Sequence, residues 1–114
     1  MKWILIVVCC GIVQSQRCNQ RQTVKVPPCI REKIDAIQQS PKYNPPATVY
    51  RYLYGNSYVY LFTSECCDQY NYLYDRNCNI LCAPSGGITG KGDGRCQNFF
   101  TMATDKTLVW QDTR

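Results

Sequence analysis

The sequence predicts an α+β fold: one N-terminal helix packed on a small antiparallel sheet of three or four strands with a central hairpin. Three observations predict it. Residues 29–39 carry a helical period, two strand-forming runs flank Gly55-Asn56, and a glycine-rich segment lies between Cys82 and Cys96. The 114 residues suffice for one domain and not for two.

The helix comes first. Pro28 suits an opening turn, where its missing N–H costs nothing. At about 100° per residue, Cys29, Ile30, Ile34, Ala36 and Ile37 fall on one side and Arg31, Asp35, Gln38 and Gln39 on the other. Ser40-Pro41 ends it, and the prolines at 41, 45 and 46 make the connector extended and stiff.

The hairpin follows. Residues 48–54 and 57–63 are rich in strand formers, and Gly55-Asn56 is a two-residue loop between them. That loop pairs Tyr54 with Ser57, Tyr52 with Val59 and Tyr50 with Leu61, all on one face. The other face carries Val49, Arg51, Leu53, Tyr58, Tyr60 and Phe62. Leu53, Tyr58 and Phe62 make it the more apolar, so it is expected to meet the helix and to leave the Tyr50/Tyr52/Tyr54 row half exposed. That row, with Arg51, is a second candidate platform for a sugar, a peptide or bases. Residues 64–78 are turn-rich, 79–82 read as a short strand, and 106–111 as the last strand. Between them, residues 84–94 hold five glycines and predict a loop with several left-handed backbone turns.

The N-terminus sets the compartment. Lys2 precedes an apolar run of eleven residues, Trp3 to Val13. A membrane span needs about twenty, so the run reads as a cleavable signal peptide at 1–15, followed by a flexible leader at 16–27 and a single domain at 28–114. The chain is therefore expected to be exported, with no transmembrane segment in its mature form. A lipoprotein ranks second, because none of Cys9, Cys10 and Cys18 directly follows a small residue at the end of the run.

Cleavage removes two of the nine cysteines. Cys18 lies in the polar leader and is read as unpaired. The remaining six, Cys29, Cys66, Cys67, Cys78, Cys82 and Cys96, form a disulfide framework in an exported domain; fifteen connectivities are open to them. Adjacent cysteines in extended backbone point to opposite sides, so Cys66 and Cys67 are expected to enter two separate structural bridges rather than to form a redox pair.

Several chemistries are excluded or ranked low. With no histidine, the usual general base and zinc ligand are missing. A net charge of +5, scattered along the chain, falls short of a nucleic-acid binder. The glycine loop lacks the P-loop pattern: Ser85 stands at the first glycine and Gly92 after the lysine. Asp75, Asn77 and Asn79 have calcium-loop spacing, but Ile80 and Gly86 occupy its glycine and acidic positions, so a side-chain-capped turn is expected instead. No metal and no cofactor is expected.

Two strings are specific: Cys66-Cys67-Asp68-Gln69-Tyr70-Asn71, and the run from Cys82 through Pro84, Gly86-Gly87, Thr89-Gly90 and Gly92-Asp93-Gly94 to Cys96. With Asn44 to Tyr50 upstream and Leu108 to Trp110 downstream, the chain over 28–114 resembles a family of small exported bacterial proteins catalogued as a domain of unknown function. The resemblance implies a common cysteine set, Cys66, Cys67, Cys82 and Cys96, pairing within itself, and an additional pair, Cys29 with Cys78. It implies no activity.

The leading functional reading is a non-enzymatic binding or envelope-associated module, its partner a protein or glycan of the cell envelope. Its candidate surface is the glycine loop with its neighbours: Asp68, Gln69, Asn71, Thr89, Lys91, Asp93 and Arg95. The alternative is a small secreted hydrolase-like enzyme using Asp68 or Asp93. Asp93 stands between two glycines, where its carboxylate is expected to accept backbone N–H groups of the loop.

Overall fold

The structure, a computed structural model, describes residues 24–114. The expected signal peptide, most of the leader and Cys18 lie outside the described residues. Val26, in the part of the leader that is described, packs against the core.

Helix α1 (Pro28–Gln39) begins with proline in its first turn and ends at Ser40, whose hydroxyl and backbone N–H both donate to the Ile37 carbonyl. Its buried residues are Ile30, Ile34 and Ile37, three positions of the apolar stripe. Strands β1 (Thr48–Tyr54) and β2 (Ser57–Phe62) form the hairpin in the expected register, with Tyr54 opposite Ser57, Tyr52 opposite Val59 and Tyr50 opposite Leu61. Strands β3 (Tyr70–Tyr74) and β4 (Ile80–Gly86) extend the meander on one side. The chain then crosses through the short helix α2 (Phe99–Met102), and β5 (Thr104–Gln111) pairs with β1 on the other side. The antiparallel order is β4-β3-β2-β1-β5.

The sheet therefore has five strands where three or four were expected. The additional one is β3, in a segment read as turns because Cys66 to Gln69 before it and Asp75 to Asn77 after it are turn formers. The expected glycine loop also begins later, since Pro84 to Gly86 continue β4.

Each face of the sheet has its own core. On one, Ile30, Ile34 and Ile37 pack on Val49, Tyr60 and Phe62. This is the face expected to meet the helix, although Tyr58, at its outer end, is 44% exposed. On the other, Tyr52, Val59, Leu61 and Leu73 pack against Phe99 and the Cys82–Cys96 disulfide. Tyr52 is only 6% exposed, because Phe99 closes on it edge-to-face at a ring separation of 4.9 Å. The expectation of a half-exposed row thus fails at its centre; Tyr50 and Tyr54 stay partly exposed.

Cys29–Cys78 ties the first turn of α1 to the β3–β4 turn, and Cys82–Cys96 ties β4 to the approach to α2. The third disulfide joins Cys66 to its neighbour Cys67, which corrects the expectation of two separate bridges. The backbone at Cys67 is left-handed (φ 54°) and not extended, so the alternation that would send the two side chains apart does not operate.

Candidate functional site

The tyrosines of β3 alternate with Asn71 and Leu73, so Tyr70, Tyr72 and Tyr74 project from one face. It is the face that α1 covers, but α1 covers only part of it. The rings form a ladder of edge-to-face contacts, with centroids 6.0 Å apart from Tyr70 to Tyr72 and 6.4 Å from Tyr72 to Tyr74. Tyr74 also meets Phe62 at 5.3 Å, and the Lys33 ammonium lies 4.3 Å from its ring centre. Burial, aided by the neighbouring Tyr72 and Tyr43 hydroxyls, raises the Tyr74 phenol above its ordinary value, so it remains a neutral donor and acceptor.

A cleft of about 580 Å³ opens over this ladder. One wall is α1 from Lys33 onward with its cap, contributing Lys33, Ile37 and Ser40. Tyr43 of the connector closes one side. The other wall is the β2–β3 loop, which contributes Thr63, Ser64, Glu65, Asp68 and Gln69. The lining thus combines aromatic faces with two carboxylates, three hydroxyl side chains and an amide. Its charged members are Glu65, Asp68 and Lys33, an excess of one negative charge.

The loop is held in place from behind. Asn71, on the opposite side of β3, accepts the Ser64 N–H at 2.7 Å and donates to the Ser85 hydroxyl at 3.1 Å. The Gln69 carbonyl accepts Gly87 N–H at 3.0 Å. Gly86 makes this approach possible: a Cβ there would stand 2.8 Å from the Asn71 nitrogen, and its φ of +83° suits glycine alone.

The candidate surface residues divide into groups. Asp68 and Gln69 line the cleft, and Asn71 buttresses it from behind. Thr89, Lys91, Asp93 and Arg95 belong to the glycine-rich loop, and none of them lines the cleft. The Thr89 hydroxyl accepts Lys91 N–H at 3.3 Å, and the Lys91 side chain is exposed. The Asp93 carboxylate accepts Ala83 N–H at 3.1 Å and Arg95 N–H at 3.0 Å, while Asp93 N–H donates to the Ala83 carbonyl at 2.9 Å. The Arg95 guanidinium donates to the Leu81 carbonyl at 2.9 Å. Of the two acids named for the hydrolase alternative, Asp68 lines the cavity and Asp93 does not.

Asp75 is likewise engaged locally. It accepts N–H groups of Asn77 and Asn79 at 2.8 and 2.9 Å and the Asn79 amide at 3.1 Å. Burial pushes its carboxyl upward, but the Asn79 and Asn77 hydrogen bonds together outweigh that and hold it below its ordinary value. It forms the side-chain-capped turn expected from its spacing.

Among the cleft residues that sequence reasoning missed are the three ladder tyrosines, Tyr70, Tyr72 and Tyr74. The signal was present as a period of two, tyrosine at every second position over 70–74.

A disulfide-bonded α+β domain with a tyrosine-lined cleft is the class of protein that this geometry defines. Residues 35–112 match the model of the family described as Domain of unknown function (DUF6970), and the chain belongs to that family. No curated protein and no solved structure matches the chain.

Proposed function

We propose that this domain is an exported, non-enzymatic binding module that seats a glycan of the cell envelope in the tyrosine cleft. The observation that carries the reading is the ladder Tyr70, Tyr72, Tyr74 with Glu65 and Asp68 on the facing wall. A sugar ring has an apolar C–H face and an equatorial belt of hydroxyls. The C–H face packs on the negative face of a phenol ring, and the hydroxyls donate to carboxylates. The cleft volume lies in the range of small-ligand sites, about 300–1,000 Å³, and its concavity suits a chain of a few rings better than a flat protein face.

Export is supported by the three disulfides, which persist in oxidising compartments, and by the apolar run after Lys2. Among the described residues no helix is long and apolar enough to cross a membrane.

Titration calorimetry with neutral oligosaccharides, cellohexaose and chitohexaose, tests the reading. Binding that falls at least tenfold in Tyr72→Ala, with the cooperative unfolding transition retained, supports it. Absence of binding to either sugar, with binding of oligolysine to the same cleft, makes the domain a reader of basic peptides instead.

A further inference from the structure

We infer that Cys66–Cys67 is a reducible redox site, opened selectively by a dithiol reductant, and that its opening releases the β2–β3 loop. The three disulfides differ in what they hold and in how far they are exposed. Cys29–Cys78 spans 49 residues of sequence and Cys82–Cys96 spans 14, whereas Cys66–Cys67 spans one. A bridge stabilises a fold by restricting its unfolded chain, more for longer loops. By the same thermodynamic cycle, the folded state protects such a bridge from reduction. A bond between sequence neighbours restricts almost nothing in the unfolded chain, so the global fold lends it almost no protection.

Access also leaves Cys66–Cys67 the least protected of the three. Cys82 and Cys96 are 3% and 8% exposed and sit inside a core cluster. Cys29 and Cys78 are half-buried, and Cys67 is exposed on a surface loop. Disulfide exchange requires a thiolate to reach a sulfur, and Cys67 is the most exposed of the six bonded cysteines.

The local consequence is larger than the global one. The disulfide closes a small ring at the middle of the loop, with Thr63, Ser64 and Glu65 before it and Asp68, Gln69 and Tyr70 after it, all cleft-lining residues. It holds Cys67 at φ 54°, a conformation that a non-glycine residue leaves readily once the ring is open.

In the step itself, one thiolate of the dithiol attacks Cys67 Sγ, the Sγ–Sγ bond breaks, and Cys66 leaves as a thiolate. The second thiol of the reductant, once deprotonated, displaces Cys67 from the mixed disulfide. The protein gains two electrons and, after protonation, two thiols; the reductant leaves as its cyclic disulfide.

Graded reduction of the full chain with dithiothreitol, followed by alkylation and peptide mass spectrometry, tests the site. Cys66 and Cys67 should be alkylated at least tenfold faster than any other described cysteine. Amide exchange over 64–70 should rise at least tenfold, with a Tm change under about 2 °C. The double variant C66S/C67S should reproduce that exchange pattern without reductant. Earlier reduction of Cys29–Cys78 or Cys82–Cys96 overturns the inference, as does unchanged exchange over 64–70 once Cys66 and Cys67 are free. These readouts need no ligand, so they stand or fall separately from the glycan reading. If that reading also holds, reduction weakens sugar binding.

Discussion

The Arg114 guanidinium grips Asp112 and the end of α1 at once. Its Nε and Nη2 donate to the Asp112 carboxylate at 2.7–3.1 Å, and its Nη1 donates to the Gln38 and Ser40 carbonyls at 3.1 and 2.9 Å. A cation is thus placed on the carbonyls at the helix C-terminus, where the helix dipole favours it. Asp112 is only 3% exposed, so its charge depends on this partner. One ion pair secures the strand-end to the helix and closes the core that backs the cleft.

A pH dependence follows. The Arg114 hydrogen bonds hold the Asp112 carboxyl at about 2, below its ordinary value of 3.8. A depressed carboxyl stabilises the fold fully above the unfolded value and loses that contribution as pH falls through the folded one. Arg114→Ala should lower Tm by a constant amount above about pH 5. The gap to wild type should narrow between about pH 4 and pH 2, down to the part that the Gln38 and Ser40 carbonyl bonds contribute. A gap that does not change with pH would assign the loss to packing and not to the pair.

The disulfides should separate in stability experiments. On the chain-entropy account, removing Cys29–Cys78 costs about 4 kcal/mol and removing Cys82–Cys96 about 3 kcal/mol. The paired serine variants at these positions should show those losses in urea titrations, while C66S/C67S should stay within about 0.5 kcal/mol of wild type. Equal losses for all three would mean that the neighbouring pair supports the global fold.

The hairpin was legible because Gly55-Asn56 admits one loop length, and loop length dictates register; the pairs of β1 with β2 follow directly. The helix was legible because Ile30, Ile34 and Ile37 repeat with its period. Strand β3 was not, since its five residues are bounded by turn formers and its outward positions are tyrosines, which suit a surface as well as a core. Nor was the cover over Tyr52: α2 has four residues, too few to show a period. The neighbouring-cysteine disulfide escaped for a similar reason, because it depends on the backbone at Cys67, which no spacing rule reports.

Asp93 is expected to act as scaffold for the glycine loop. Its two carboxylate oxygens reach Ala83 N–H and Arg95 N–H, on opposite sides of the loop. Asp93→Ala leaves the part-buried Ala83 N–H without this acceptor and should cost about 1–3 kcal/mol. Asp93→Asn keeps one acceptor oxygen and should cost less. Both variants should bind cellohexaose or chitohexaose as wild type does, since Asp93 is not in the cleft. Loss of sugar binding at unchanged Tm would move the site to the glycine loop.

The two tyrosine rows should answer oppositely to truncation. On β1, Tyr52 lies under Phe99, which has no exposed surface and also meets Tyr54 at 5.1 Å and Phe100 at 5.0 Å. Tyr52→Ala or Phe99→Ala opens a cavity in a closed core and should cost about 3–5 kcal/mol. On β3, Tyr70 is 39% exposed and Tyr72 is half-buried against the cleft, so either ring can be removed without opening the core. Tyr70→Ala and Tyr72→Ala should each cost under about 1.5 kcal/mol, losing their edge-to-face contacts and, for Tyr70, its packing beside Gly87. They should nevertheless abolish sugar binding, whereas a folded conservative variant, Tyr52→Phe, should retain it. Measuring Tm and oligosaccharide affinity together on these variants separates core from cleft. If Tyr72→Ala keeps full affinity, the ladder is a structural face, and the ligand of this domain must be sought away from β3.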